Sequence, residues 1–139
     1  MPLTVVLDTN ILLVSISRKS RYHWLFEHLR NETYDLLVTT PIILEYQEIL
    51  SAHMGHRIAA RIVELLEEGP NVHQQRVYYR WDLIKADPDD NKFVDCAIAG
   101  GADYLITHDS HFNVLREIDF PQVSVITAAE FRELLEGAP

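Results

Sequence analysis

The chain has 139 residues, 47% of them hydrophobic and 24% charged, and 21 acidic against 12 basic side chains give a net charge of −9. That length fits one domain, able to bury roughly two-thirds of its unfolded surface, and the composition excludes disordered and fibrous chains. The acidic balance argues against a general nucleic-acid coat protein, which needs a basic face, but leaves room for an enzyme whose carboxylates hold divalent cations.

No apolar run approaches the ~20 residues of a membrane span, and the N-terminus lacks a basic region followed by a long apolar stretch. A single cysteine, Cys96, excludes an internal disulfide. A cytoplasmic location without membrane association is therefore expected.

In chain order, Leu3 to Leu7 reads as a buried strand and Thr9 to Ile16 as an apolar helix. Ser20 is placed to cap a helix carrying Trp24, Leu25, Phe26 and Leu29. Asp35 to Thr39 reads as the second strand, and Thr40 as the N-cap of the helix "PIILEYQEILSAH", with Pro41 at its first position. A further helix, Ile58 to Glu67, stops at Gly69-Pro70. A strand is expected near Gln75 to Tyr78. The turn "DPDD" at Asp87 to Asp90 opens the helix "NKFVDCAIAGG", which ends at Gly100-Gly101. Strands "DYLIT" and "VSVIT" and a closing helix "AAEFRELLEG", with Gly137 just past its end, complete the chain. This alternation predicts an α/β fold over residues 1–139, a mainly parallel sheet flanked by helices.

Ligands of such sheets gather beyond the carboxyl ends of the strands. Asp8 ends the first strand and Asp109 follows "DYLITH", so both project from that edge, whereas Asp103 lies at the other end of its strand. In the helix after Asp90, the buried stripe is Phe93, Val94, Ala97 and Ile98; Asp90 lies on it, while Asp89 and Asp95 fall off it as cap and flanking group. In "PIILEYQEIL", Glu45 borders the buried stripe and Glu48 points away.

Taken singly, Asp8 reads as a helix cap and Glu45 as a solvated helix residue. Together, four acids at one edge repel unless a cation joins them, and an all-carboxylate set without zinc spacing among the seven histidines points to Mg²⁺ or Mn²⁺.

The segments "VVLDTNILL", "TTPIILEYQEIL", "DPDDNKFVDCAIAGGADYLITHD" and "VITAAEFRELL" resemble the PIN-domain family across essentially the whole chain, the third segment most specifically. The resemblance is strongest to its bacterial and archaeal branch of toxin-antitoxin toxins, the VapC-like ribonucleases. It implies a parallel sheet flanked by helices and an acidic quartet at Asp8, Glu45, Asp90 and Asp109 holding Mg²⁺ or Mn²⁺. It places Thr9, Asn10 and Thr107 as residues that orient ligands or waters, and Asp95 in the outer shell. Many relatives carry a small residue where this chain has His108, which could crowd the site or touch substrate.

The activity implied is hydrolysis of single-stranded RNA, with an antitoxin protein as partner and a homodimer as the working form. For RNA contact the best basic cluster is Arg18, Lys19 and Arg21; Arg76, Arg80 and Lys85, interleaved with Tyr78, Tyr79 and Trp81, form a second.

A dehalogenase-type phosphatase would need a second Asp where Asn10 stands, and a response-regulator receiver would need a Lys after its last strand. The alternative left open is a catalytically silent PIN scaffold that binds RNA or a protein partner.

Overall fold

The computed structural model describes residues 2–137. Strand β1 (Thr4–Leu7) leads directly into helix α1 (Thr9–Ile16), followed by α2 (His23–Arg30), β2 (Asp35–Val38), α3 (Thr40–Met54), α4 (His56–Glu68) and β3 (Val72–Gln74). A short 3₁₀ turn, Pro88–Asp90, opens α5 (Asn91–Gly100), which precedes β4 (Tyr104–Ile106). A 3₁₀ segment, Ser110–Glu117, then leads to β5 (Val125–Ile126) and α6 (Ala128–Arg132), whose last turn widens into a π-helical one over Glu133–Gly137.

All five strands are parallel, in the order β3-β2-β1-β4-β5. The chain winds outward from β1 through β2 and β3, then returns to place β4 on the other flank of β1. The topological switch point therefore lies between β1 and β4, at whose carboxyl ends a ligand crevice is expected. Val5, Val6 and Leu7 are wholly buried, as strands covered on both faces require. Helix α5 lies against β1, β2 and β4. Phe131 of α6 packs on Trp24 of α2 and edge-on against Tyr34 at the start of β2.

Several boundaries differ from the sequence expectation. The third strand is Val72–Gln74, because these residues meet Leu36, Leu37 and Val38 in register. Beyond Gln75 the chain leaves the sheet, and Tyr78 is 87% exposed. Thr39, not Thr40, caps α3: its hydroxyl accepts from the Ile42 N–H at 3.3 Å, which moves Pro41 to the second helical position. Ser20 does not cap α2; its hydroxyl accepts from the Tyr22 N–H at 3.0 Å inside the preceding turn, and the helix begins at His23. Gly137 falls within the π-helical turn, not beyond it.

The two glycines of the Gly100-Gly101 stop are there for different reasons. Gly101 adopts the left-handed conformation, φ 62°, that ends the helix. Gly100 is a close approach, where a Cβ would stand 2.3 Å from Leu37 Cδ1. Cys96 is a buried free thiol, pushed up to about 12 by burial. Among the described residues no helix is long and apolar enough to cross a membrane.

Candidate functional site

Asp8 stands one residue past β1 and is only 6% exposed. Its backbone N–H continues the sheet by donating to the Ile106 carbonyl at 3.1 Å. It occupies the N-cap position of α1, yet its side chain makes no capping hydrogen bond. A residue there to cap would use its oxygen on the N–H of the second or third helical residue. Instead, Asp8 Oδ2 accepts from the Thr107 hydroxyl at 2.8 Å, across the switch point. Burial pushes the Asp8 carboxyl up; the Thr107 and Thr9 hydrogen bonds oppose this, and the charges of Asp109 and Glu45 reinforce it.

Thr107 is shared by two acids, since its oxygen also accepts from the Asp109 N–H at 3.0 Å. Asp109 Oδ1 in turn accepts from the His111 N–H at 2.9 Å, which starts the 3₁₀ segment. The His111 ring lies between two acids, Nδ1 being 3.3 Å from Asp109 Oδ1 and 3.7 Å from Asp90 Oδ2.

Asp90 is held at the start of α5 by the turn that Asp87 caps. Its Oδ2 is buried without a hydrogen-bond partner. Burial, followed by the charges of Asp87, Asp109 and Asp8, pushes its carboxyl up to about 7. Asp87, Asp90 and His111 each offer a ligand atom within 4.8 Å of the others.

Glu45 reaches the group from α3. One of its oxygens accepts from the Thr9 hydroxyl, and the other lies 2.6 Å from Lys92 Nζ. Tyr46, wholly buried next to it, donates to the Leu7 carbonyl at 2.6 Å and ties α3 to the end of β1.

Asp8, Glu45, Asp90 and Asp109 lie near enough around the carboxyl ends of β1 and β4 for their charges to act on one another, with Thr9 bonded to Glu45 and Thr107 to Asp8. Of the four, only Asp90 belongs to the group whose ligand atoms lie within 4.8 Å of one another among the described residues. Asn10 is exposed at the start of α1. Asp95 is buried, contrary to its helical phase, because the chain around Trp81 covers that face; its Oδ1 accepts from the Trp81 N–H at 3.1 Å. His108 Nε2 accepts from the Ala128 N–H at 3.2 Å, so the ring meets the start of α6.

The His108 ring also lies 5.6 Å from the ring of Tyr22, whose hydroxyl accepts from Arg21 at 2.8 Å. The Arg21 cluster therefore connects to the residue beside Asp109. Arg18 and Lys19 are exposed in the same turn.

Asp87, Lys92 and the bridging place of His111 were not singled out from the sequence. The visible signal was "DPDDNK", where Lys92 stands one helical turn after Asp89. The oxygen-rich set, with an orphaned buried carboxylate oxygen at its centre, fits a hard divalent cation.

Residues 4–111 match the family model for the PIN domain. The chain belongs to the PIN-domain family. A comparison with curated proteins finds no match. Among solved structures, this PIN domain is similar to VapBC2 from Rickettsia felis bound to a DNA fragment from their promoter, with TM-score 0.62 and 16% identity over 90% of this chain and 98% of the other. It is similar to VapBC-1 from nontypeable Haemophilus influenzae, with TM-score 0.59 and 16% identity over 91% and 99% of the chains. Mycobacterium tuberculosis VapC20, a sarcin-ricin loop cleaving toxin, gives TM-score 0.58 and 15% identity over 78% and 92%. At these identities the likeness shows a common fold.

Proposed function

We propose that this PIN domain is a Mg²⁺- or Mn²⁺-dependent endoribonuclease acting on single-stranded RNA, in the role of a toxin with a cognate antitoxin in the cytoplasm. The observation that carries the reading is Asp90 Oδ2, buried without a hydrogen-bond partner near the carboxylates of Asp87, Asp109 and Asp8. An unmet acceptor in such a place costs stability unless a cation meets it. The fold likeness to VapBC structures supports the antitoxin partner, and the likeness to the sarcin-ricin loop cleaving toxin supports RNA cleavage.

Asp8, Asp90 and Asp109 would hold the ion, with Glu45 at the flank of the group. When bound, the ion supplies Lewis-acid stabilisation of the phosphodiester and a lowered pKa for the attacking water. The chain's own residues do the positioning. Thr107 fixes the Asp8 carboxylate and the Asp109 backbone together, and Thr9 fixes Glu45. The His111 ring, next to both Asp90 and Asp109, stands where a proton can be passed at Nδ1.

Arg18, Lys19 and Arg21 offer phosphate contacts, and the Arg21–Tyr22–His108 chain leads these toward the acids. Tyr78, Tyr79 and Trp81, with Arg76, Arg80 and Lys85, form a second surface suited to stacking bases.

Cleavage of unstructured RNA with Mn²⁺ or Mg²⁺ tests the proposal. Wild-type protein should cut, EDTA should stop it, and Asp8→Asn should lose at least about 100-fold in rate, as expected when ion-dependent stabilisation is removed. Equal cutting by both proteins, or no cutting of any RNA tried, refutes the catalytic reading. The latter result combined with RNA binding would support a silent scaffold.

A further inference from the structure

We propose that Lys92 supplies a fixed positive charge on the Glu45 side of the carboxylate group, so that the site takes a single divalent ion, held by Asp8, Asp90 and Asp109. The inference rests on the metal-dependent reading above and assigns its stoichiometry and the part played by Glu45.

The Lys92 ammonium has three protons to give. Three acceptors take them: Glu45 Oε1 at 2.6 Å, Asp89 Oδ1 at 2.9 Å and the Asp89 carbonyl at 3.0 Å. The ammonium also lies 5.4 Å from the centre of the Phe93 ring. Its side chain is 17% exposed, against 75% for Asp89. The bland account is a helical i,i+3 surface pair with Asp89, a weak interaction. That account leaves out Glu45, which belongs to a different helix, and the burial of the lysine between them.

The two sides of the carboxylate group differ in what they have left to offer. Both Glu45 oxygens are engaged, one by Lys92 and the other by the Thr9 hydroxyl. Asp90 Oδ2 accepts no hydrogen bond, and His111 Nδ1 stands 3.7 Å from it. A divalent ion entering the group therefore meets at Asp90 a carboxylate oxygen that accepts no hydrogen bond, and at Glu45 a carboxylate whose charge Lys92 already balances. A second ion on Glu45 would have to displace an ammonium held at three points. Lys92 is a positioning residue here: it neutralises Glu45 and leaves the remaining acids to one ion.

The test is to strip the full chain with EDTA and titrate it with Mn²⁺, counting bound ions by calorimetry and by the EPR signal of free Mn²⁺. Wild type should bind one ion, Lys92→Arg should keep that count, and Lys92→Met should admit a second. Glu45→Gln should still bind one ion, a result that does not depend on how well the Lys92 variants fold. A spin-coupled Mn²⁺ pair in wild type, a Lys92→Met protein that stays at one ion, or loss of the single ion in Glu45→Gln overturns the inference while leaving the metal reading intact. No Mn²⁺ bound by wild type overturns the metal reading, and this inference with it.

Discussion

Asp90 makes the ion-free protein weaker at high pH, and the size of that weakness can be worked out. Its carboxyl is pushed from 3.8 to about 7, and its side chain is 13% exposed. Between these values the folded chain keeps a proton that the unfolded chain has lost, so stability falls as pH rises. At about 1.36 kcal/mol per unit, the full displacement corresponds to roughly 4 kcal/mol, reached only above pH 7. Between pH 5 and pH 8 the loss from this one group is roughly 2.5 kcal/mol. The Asp8 carboxyl is also raised and adds to the fall in the same direction.

Asp90→Asn removes the titration while keeping the size of the side chain. Urea unfolding in EDTA at pH 5 and pH 8, followed by tryptophan fluorescence, should show a steeper decline for wild type than for the variant. At pH 8 the variant should be the more stable protein. Adding Mn²⁺ should reverse that order, because an ion that binds only the folded state stabilises it by mass action. Parallel pH profiles for the two proteins would refute the reasoning, since Asp90 would then ionise at its ordinary value.

Thr107→Val keeps the shape of the side chain and removes its hydrogen bonds to Asp8 and to the Asp109 backbone. Mn²⁺ affinity by calorimetry should fall about tenfold, the lower end of what losing a residue behind a ligand costs, and unchanged affinity would reduce Thr107 to packing. Gly100→Ala drives a methyl against Leu37 and should lower stability by roughly 1–3 kcal/mol in urea unfolding, with Mn²⁺ binding unchanged.

The parts of the fold legible in the sequence were those set by local pattern. The runs at Val5 to Leu7 and Leu36 to Val38 are buried as read, and "DPDDNKF" opens a helix as read. What failed depends on contacts from elsewhere in the chain. The bounds of β3 come from pairing with β2, and Gln75 to Tyr78 were equally plausible as strand residues until that register was known. Asp95 is buried by the chain near Trp81, and helical phase alone carries no information about that cover.

At the site, the clue in Asp8 was its position at the end of an apolar strand, where its carboxylate bonds to Thr107 of the neighbouring strand's end instead of capping the helix. Lys92 could not be read in advance, because its Glu45 partner lies on a different helix. Asp89, nearby in sequence, was the visible half of that pairing.

The hydrogen bond between Thr107 and Asp8 joins residues 99 positions apart. Strand β1 pairs with β2, about 30 residues on, and with β4, about 100 residues on (Thr4 with Asp35, Val5 with Tyr104). Contacts of such long range form late, once the cost of closing the loop is met. A nascent chain therefore carries Asp8 and Glu45 before Asp109 has been made. A carboxylate group drawn from Asp8, Glu45, Asp90 and Asp109 is therefore complete only once β4 has docked beside β1.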